Sequence, residues 1–347
     1  MTLYDRVSGL ALELDSYDFE RLETQVSSEF TRVTTVVRLH GRGETGVGED
    51  VTYDGSLHPP PEDLPLRDAT TLDELSALLE GRDLFAGATV GMAAFRFYRR
   101  WAFESAALDL ALHQAGTSLA EALHREARPV TFVVSKRLPE PPSAEPLLRL
   151  IARFPGTRLK VDPMSSWTDE FVAELAATAA VDVVDLKGQY EGTVVDQPPD
   201  PALYARVSAG FPQAWIEDPA LTEETDGVLA PYHDRITWDA PIHSVADVES
   251  LPFPPRTINV KPSRFGSVRR LLDAYDYLAR NGIGAYGGGQ FELGPGRGQI
   301  QYLASLFHSD ASNDVAPGGY NQPDPPDGLP LTPLAPAPAP TGFRWDA

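Results

Sequence analysis

Five short apolar runs, each ending on a charged residue, follow one another through the middle of this 347-residue chain. The charges that end them lie 25, 32, 22 and 22 residues apart, at Lys160, Asp185, Glu217, Asp239 and Lys261. Each step has room for one strand, one helix and two loops, which is the repeat of a parallel β/α barrel. Side chains at the carboxyl ends of such strands meet at one mouth of the barrel, so the repeat predicts a functional site there.

Lysine is rare in this chain, and its placement follows the same runs. Of the 29 basic residues only four are lysine, and each of them ends an apolar run: Lys136, Lys160, Lys187 and Lys261. A lysine amine can lose its proton, whereas a guanidinium stays protonated in proteins, so this placement indicates acid–base chemistry. The alternative is chance placement of a rare residue.

Charge and composition exclude several classes of protein. A formal net charge of −21 argues against a nucleic-acid partner or an anionic membrane surface, because both require a basic protein surface. The chain has no cysteine, which excludes disulfides and thiolate chemistry. No apolar run reaches the ~20 residues of a membrane helix and no signal-peptide pattern is present, so we predict a cytoplasmic protein. A metal would be held by oxygen or histidine ligands, and clustered carboxylates favour Mg²⁺.

The first part of the chain has the pattern of a small sheet followed by helices. Residues 9–14 and 34–39 have strand patterns. The glycine-rich residues 41–49 predict a hairpin, since no Gly-Lys-Ser/Thr ending marks a phosphate loop. A helical pattern covers residues 98–115. We therefore predict an α+β domain over residues 1–128.

Strand and helix patterns then alternate over residues 129–316, which we predict to form the barrel. Its eight predicted strands are residues 130–134, 159–161, four runs ending at Asp185, Glu217, Asp239 and Lys261, residues 285–291 and residues 313–316. From residue 317 the chain is rich in proline, but Phe343 and Trp345 lie close to its end. We predict that segment 317–347 packs back onto the first domain.

Several segments resemble the enolase superfamily, in its mandelate racemase and muconate lactonizing branch. They occur in the family's order and together span nearly the whole chain: residues 41–49, 104–112, 215–219 (Trp-Ile-Glu-Asp-Pro), 259–266 (Asn-Val-Lys-Pro-Ser-Arg-Phe-Gly) and 288–294. The lysine of the sixth-strand segment, Lys261, is similar to that of o-succinylbenzoate synthase. The resemblance implies an α/β fold, a parallel (β/α) TIM-type barrel with an N-terminal α+β capping domain.

The resemblance also implies a metal-dependent enzyme that removes a proton α to a carboxylate, with Mg²⁺ stabilising the enediolate. Asp185, Glu217 and Asp239 match the family's metal ligands on the third, fourth and fifth strands. Lys261 matches a base on the sixth strand, and Lys160 would stabilise charge or act as an acid. For the three carboxylates the alternative is that one or two of them cap loop or helix amides. The implied substrate is a small-molecule carboxylate, and we expect a homo-oligomer.

Two positions depart from the family pattern. On the second strand Lys160 is followed two residues later by Asp162, where the family has a second lysine. On the third strand Asp185 is followed two residues later by Lys187, where the family has asparagine. Lys187 would restore the charge lost at Asp162 by pairing with it. These departures argue against two-base racemisation and favour a lyase or dehydratase reaction with Lys261 as the base.

The remaining site predictions concern substrate binding. We assign this role to Asp162, Lys187, Gln290 and Glu292, the last two from the loop after the seventh strand. In the family the capping domain closes over the barrel mouth, so residues 15–32 and 52–62 would select the substrate.

Two further functions stay open at the level of sequence. Asp162 and Lys187 are compatible with a barrel that has lost enolase-type turnover and serves as a small-molecule binding protein. A lysine held in an apolar pocket away from metal would instead form a Schiff base with a carbonyl substrate.

Overall fold

A three-stranded antiparallel sheet forms the amino-terminal part of the protein. The computed structural model describes residues 1–26, 30–59, 61, 64–190, 192–193 and 195–345. The strands are β1 (Ser16–Gln25), β2 (Thr31–Gly41) and β3 (Glu44–Asp50), in that order across the sheet. Arg42 and Gly43 both adopt positive φ between β2 and β3, as a tight two-residue hairpin requires. The predicted hairpin is therefore confirmed.

The prediction of a strand over residues 9–14 is wrong. Leu12 and Leu14 are buried, so the apolar alternation that suggested a strand is real. The backbone of this segment, however, pairs with the residues just before the first helix, where Leu12 N donates to Thr70 O at 2.9 Å. Strand β1 was not predicted, because most of its residues are exposed and polar.

Three helices follow the sheet: α1 (Leu72–Glu80), α2 (Ala94–Ala115) and α3 (Leu119–Leu123). Residues 98–112 of helix α2 are all buried, since the helix lies between the sheet and the barrel. On the sheet side the approach is close, and a Cβ atom added at Gly48 would lie 2.0 Å from Ala102 O. On the barrel side the Glu104 carboxylate accepts a hydrogen bond from Val268 N at 3.3 Å. The helix therefore fixes the first domain against the second.

Short parallel strands form the barrel: β4 (Val133–Lys136), β5 (Arg158–Val161), β6 (Val181–Asp185), β7 (Trp215–Glu217), β8 (Ile236–Thr237), β9 (Thr257–Val260) and β10 (Gly284–Gly287). Strands β4 to β8 pair in chain order as a five-stranded sheet, and β9 pairs with β10. Between these two groups, Asn259 N donates to Trp238 O at 2.9 Å. Residues 313–314 bridge to Phe132 on one side and to Gly288 on the other, which completes the ring.

Helices follow the barrel strands: α4 (Glu145–Arg153), α5 (Asp169–Ala176), α6 (Pro201–Gly210), α7 (Glu223–Leu229), α8 (Val245–Glu249), α9 (Pro262–Phe265), α10 (Val268–Asn281) and α11 (Pro295–Phe307). Two of them, α9 and α10, lie between β9 and β10. Short 3₁₀ helices occur at Tyr4–Arg6, Gly55–Leu57, Leu66–Asp68, Ala230–Arg235 and Gly318–Asn321. The predicted α/β fold, a parallel barrel preceded by an α+β domain, is confirmed. Within the described ranges, none of the helices has both the length and the apolar character that crossing a bilayer demands.

Buried charged side chains join the N-terminal sheet to the barrel. The Glu49 carboxylate, near the end of β3, accepts hydrogen bonds from Leu293 N at 2.7 Å and Gly296 N at 2.9 Å. These amides lie at the N-terminus of α11, where a carboxylate stabilises the helix dipole. Arg32 of β2 donates to the backbone carbonyl of Gln290 at 2.8 Å. The sheet therefore holds the loop that follows β10.

The C-terminal segment lies against α2 and α11. The Phe343 ring is fully buried, 6.5 Å from the ring of Trp101 and 6.1 Å from that of Tyr302. Phe343 N donates to Asp109 Oδ1 at 2.7 Å. The division of the chain after residues 128 and 316 stays a prediction.

Candidate active site

The acids at the ends of β6 and β7 lie side by side. Asp185 and Glu217 are register partners, and both side chains are fully buried. Neighbouring parallel strands are ~4.8 Å apart, so paired positions at their ends bring the two carboxylates together. Oxygen atoms of Asp185, Glu217 and the next residue, Asp218, lie within 4.8 Å of one another. We call these three residues the acid cluster.

Lys160, at the end of β5, is bound to the acid cluster. Its Nζ is 2.9 Å from Asp185 Oδ2, donates to Glu217 Oε1, and lies 3.8 Å from Asp314 Oδ2. Burial acts to lower the pKa of Lys160, but Asp185 and Glu217 outweigh it and hold that pKa well above its usual range. Lys160 therefore keeps its proton in this arrangement.

The two departures from the family pattern lie next to each other and beside Asp185. Lys187 Nζ donates to Asp185 Oδ2 and is 3.7 Å from Asp162 Oδ1, a long ion pair. This buried Asp162 oxygen has no hydrogen-bond partner among the described residues. Burial raises the pKa of Asp162 to about 6, although Lys187 opposes the shift.

Asp218 is the member of the acid cluster that sequence reasoning missed. Its two carboxylate oxygens accept hydrogen bonds from Asp239 N and Ala240 N, both at 2.8 Å. Burial, together with the nearby carboxylates of Asp239 and Asp185, raises the pKa of Asp218 to about 7. The side chain satisfies backbone amides just after β8 that would otherwise be buried without partners.

Asp239, the third predicted metal ligand, is surrounded by donors. Lys261 Nζ donates to Asp239 Oδ2 at 2.8 Å, and Arg264 Nη1 donates to Oδ1 at 2.8 Å. Tyr190 Oη also donates to Oδ2, at 2.9 Å. Burial acts to raise the pKa of Asp239, but Arg264 and Lys261 outweigh it and hold that pKa well below its usual range. Its role as a metal ligand stays a prediction.

Gln290 and Glu292 are buried in the loop after β10. Gln290 Nε2 donates to Tyr98 Oη at 3.1 Å, and Gln290 N donates to Glu292 Oε1 at 2.6 Å. Arg297 Nη2 lies 3.1 Å from Glu292 Oε2. Substrate binding by the two residues stays a prediction. In the stretches predicted to select the substrate, residues 27–29, 60 and 62 lie outside the described residues.

The fourth lysine, Lys136, differs from the other three in its partners. Its Nζ donates to the backbone carbonyl of Tyr320 at 2.7 Å, in the C-terminal segment. Burial lowers the pKa of Lys136, with no charged neighbour among the described residues to oppose it.

Three more side chains at the acids were not singled out from sequence. Arg264 and Tyr190 bond Asp239, and Tyr286 Oη donates to Glu217 Oε2. Arg264 lies in the sixth-strand segment that resembles the enolase superfamily, so its position carried a signal. Tyr190 and Tyr286 carried none, because a tyrosine after or within an apolar run has the pattern of a core residue.

The acid cluster fits a hard divalent cation. Burial raises the pKa of Glu217 well above its usual range, and the acids Asp185, Asp239 and Asp218 add to the shift while Lys160 opposes it. The cluster brings three carboxyl groups together, and among the described residues two lysines, Lys160 and Lys187, bond them, which leaves one acid without a lysine partner. Oxygen ligands from clustered carboxylates are the set that Mg²⁺ prefers.

The sequence matches the two domains of one family nearly from end to end. Residues 5–122 match the N-terminal domain of DUF8230, a domain of unknown function, and residues 126–322 match its C-terminal domain. The chain belongs to the DUF8230 family. No curated protein matches this DUF8230 sequence.

Solved structures similar to this DUF8230 protein are members of the enolase superfamily. A member from Listeria innocua shares 19% identity at a TM-score of 0.62, covering 88% of this chain and 86% of its own. A dipeptide epimerase from Enterococcus faecalis shares 14% at 0.65, covering 97% and 100%. A muconate lactonizing enzyme from Pseudomonas fluorescens, complexed with muconolactone, shares 19% at 0.60, covering 88% of each chain. The resemblance seen in the DUF8230 sequence is thereby confirmed at the level of the fold.

Proposed function

We propose that the protein is a Mg²⁺-dependent enzyme that removes a proton α to the carboxylate of a small-molecule substrate and expels a leaving group. The observation that carries this proposal is the convergence of strand-end charges: Lys160 bonds Asp185 and Glu217, while Lys261 bonds Asp239. Such a group supplies a cation site, a charge stabiliser and a base in one place. The similar structures, which include a dipeptide epimerase, make an isomerase the nearest alternative to a lyase.

Asp185, Glu217 and Asp239 would hold the metal. Asp218 lies in the acid cluster with the first two, but both of its oxygens are engaged by backbone amides. Asp239 is bonded by side chains, which can turn away when a cation arrives. When bound, Mg²⁺ neutralises charge that develops on the substrate carboxylate.

The two lysines have different roles in this proposal. Lys261 takes the α proton, and the electron pair of the broken C–H bond moves toward the carboxylate to give an enediolate. Lys160, which keeps its proton beside Asp185 and Glu217, stabilises the enediolate and protonates the departing group. Because Asp162 occupies the position of the family's second lysine, the end of β5 offers no second lysine base, which favours expulsion over inversion.

A metal titration tests the cation site. Calorimetry should show Mg²⁺ binding to the wild type, and Glu217→Gln should remove it, because the variant lacks a central carboxylate. Asp239→Asn should weaken binding more than Asp218→Asn does, since only Asp239 is assigned to the metal. Equal binding by the wild type and Glu217→Gln would contradict the assignment.

Exchange of the α proton in heavy water tests the base. A panel of small carboxylates with Mg²⁺ should include one whose α proton exchanges, and Lys261→Ala should abolish that exchange. Lys160→Ala should slow it by an amount worth roughly 3 to 4 kcal/mol, the effect of losing one donor to a developing oxyanion. Exchange that survives in Lys261→Ala and disappears in Lys187→Ala would move the base to β6.

The Schiff-base alternative now rests on Lys136, the lysine whose amine bonds a carbonyl oxygen and has a lowered pKa. Borohydride reduction in the presence of a carbonyl compound, followed by peptide mass mapping, would locate such an adduct. A labelled Lys136 peptide together with an absence of Mg²⁺ binding would favour that function over metal-dependent proton abstraction.

A further inference from the structure

One carboxylate oxygen, Asp185 Oδ2, is bonded by two ammonium groups. Lys160 Nζ lies 2.9 Å from it, and Lys187 Nζ donates to the same atom. The other oxygen, Oδ1, accepts from Lys187 N at 3.2 Å. A cation that binds Asp185 through Oδ2 must therefore displace an amine.

The surroundings decide which amine leaves. The Lys160 side chain is only 2% exposed and also bonds Glu217, so it is enclosed within the acid cluster. The Lys187 side chain is 14% exposed, and Lys187 itself adopts a positive φ, two residues beyond the end of β6. The amine that is free to move is that of Lys187.

A carboxylate that can accept the displaced amine lies close by. Asp162 Oδ1 lies 3.7 Å from Lys187 Nζ and, within the described part of the chain, no hydrogen bond reaches it. A shift of the amine by about 1 Å would bring this pair to the length of a charge-assisted hydrogen bond. A buried carboxylate oxygen without a partner is costly, so the shift has a driving force of its own.

We propose that Lys187 is a tethered competitor of the divalent cation at Asp185, and that Asp162 accepts its ammonium group when the cation binds. This inference rests on the proposed function, because it presupposes a metal at the acid cluster. It gives the two departures from the family pattern one joint role. The lysine lowers the affinity for the metal, and the aspartate limits that loss.

Two single variants should change the Mg²⁺ dissociation constant in opposite directions. Lys187→Met removes the competitor and should lower the Kd by roughly tenfold, the equivalent of one modest buried ion pair. Asp162→Asn leaves the displaced ammonium without a carboxylate and should raise the Kd by roughly tenfold. Calorimetry measures both, and circular dichroism with thermal melting verifies that each variant is folded. If Lys187→Met does not fold, the Asp162→Asn result stands on its own.

The chain offers a matched control. Lys136 also ends a barrel strand, but its amine bonds a backbone carbonyl, so Lys136→Met removes a strand-end lysine without touching Asp185. It should leave the Kd close to that of the wild type. An equal gain in affinity from Lys136→Met and Lys187→Met would mean that overall charge is responsible, and would overturn the inference.

The double variant shows whether Asp162 accepts the Lys187 ammonium group or binds the metal itself. If Asp162 acts only on Lys187, the Kd of Lys187→Met/Asp162→Asn should equal that of Lys187→Met alone. A Kd as weak as that of Asp162→Asn would make Asp162 a metal ligand and would overturn the inference. Wild type and Lys187→Met with equal Kd would overturn it while leaving the metal site intact. An absence of binding in every form would instead refute the metal site, and this inference with it.

Discussion

Replacing Phe343 by alanine should weaken the docking of the C-terminal segment or detach the segment altogether. Its ring is fully buried between α2 and α11, against Trp101 and Tyr302. Replacing a buried phenylalanine by alanine costs about 3 to 5 kcal/mol when the cavity stays open. If the segment detaches instead, the cost is limited to the free energy of docking the segment. We therefore expect Phe343→Ala to lower the free energy of unfolding by about 3 kcal/mol.

Urea denaturation followed by far-ultraviolet circular dichroism measures this loss. Leu331→Ala is a matched control, since Leu331 lies in the same segment but is 46% exposed. It should change the unfolding free energy by less than about 0.5 kcal/mol. Removing residues 335–347 should cost on the order of 2 kcal/mol or more, because two aromatic side chains are lost from the interior. A denaturation midpoint unchanged by both Phe343→Ala and the truncation would show that the segment does not dock in solution.

Two other perturbations probe the acids and the contact between domains. Burial raises the pKa of Asp218 from 3.8 to about 7, so the folded state binds the Asp218 proton more tightly than the unfolded state does. Asp218 therefore contributes more to the stability of the fold as the pH falls. Without metal, lowering the pH from about 7.5 to about 5.5 should therefore stabilise the wild type relative to Asp218→Asn by about 2 kcal/mol, measured with urea at both pH values. The comparison cancels buried histidines such as His308, whose lowered pKa acts in the opposite direction, and parallel pH profiles would refute the assignment. Gly48→Ala should cost about 3 kcal/mol, because its Cβ would meet Ala102 O, whereas Gly81→Ala meets no atom within 4 Å and should be nearly neutral in the same assay.

The strand ends of the barrel could be predicted because each apolar run stops at a charge. Asp185 and Glu217 end β6 and β7 as expected, and Lys261 directly follows β9. An abrupt change from apolar to charged residues marks the point where a buried strand reaches the barrel mouth. Strand β1 lacks this contrast, since it lies at an edge with most side chains exposed, and the sequence contains nothing that separates it from a loop.

The pairing of charges at the mouth could be predicted only in part. The proximity of Lys187 and Asp162 followed from their positions on neighbouring strands. The hydrogen bond from Arg264 to Asp239, in contrast, could not be predicted, because the Arg264 side chain comes from α9, after β9 has ended. Asp218 was missed because it follows Glu217 directly, where strand alternation assigns it to the opposite face, yet it adopts a positive φ and turns toward the site.

The position of Glu49 has a consequence for how a protein of this kind can acquire new specificity. Its carboxylate accepts hydrogen bonds from the Leu293 and Gly296 amides at the start of α11. If the N-terminal sheet tilted, these amides and the buried carboxylate would lose their partners, which is costly. A hinge between the two domains is therefore a costly route to a differently shaped substrate chamber. Insertions and substitutions in the connecting loops leave this anchor intact, and we expect divergence among descendants of this chain to accumulate there rather than in the relative placement of its domains.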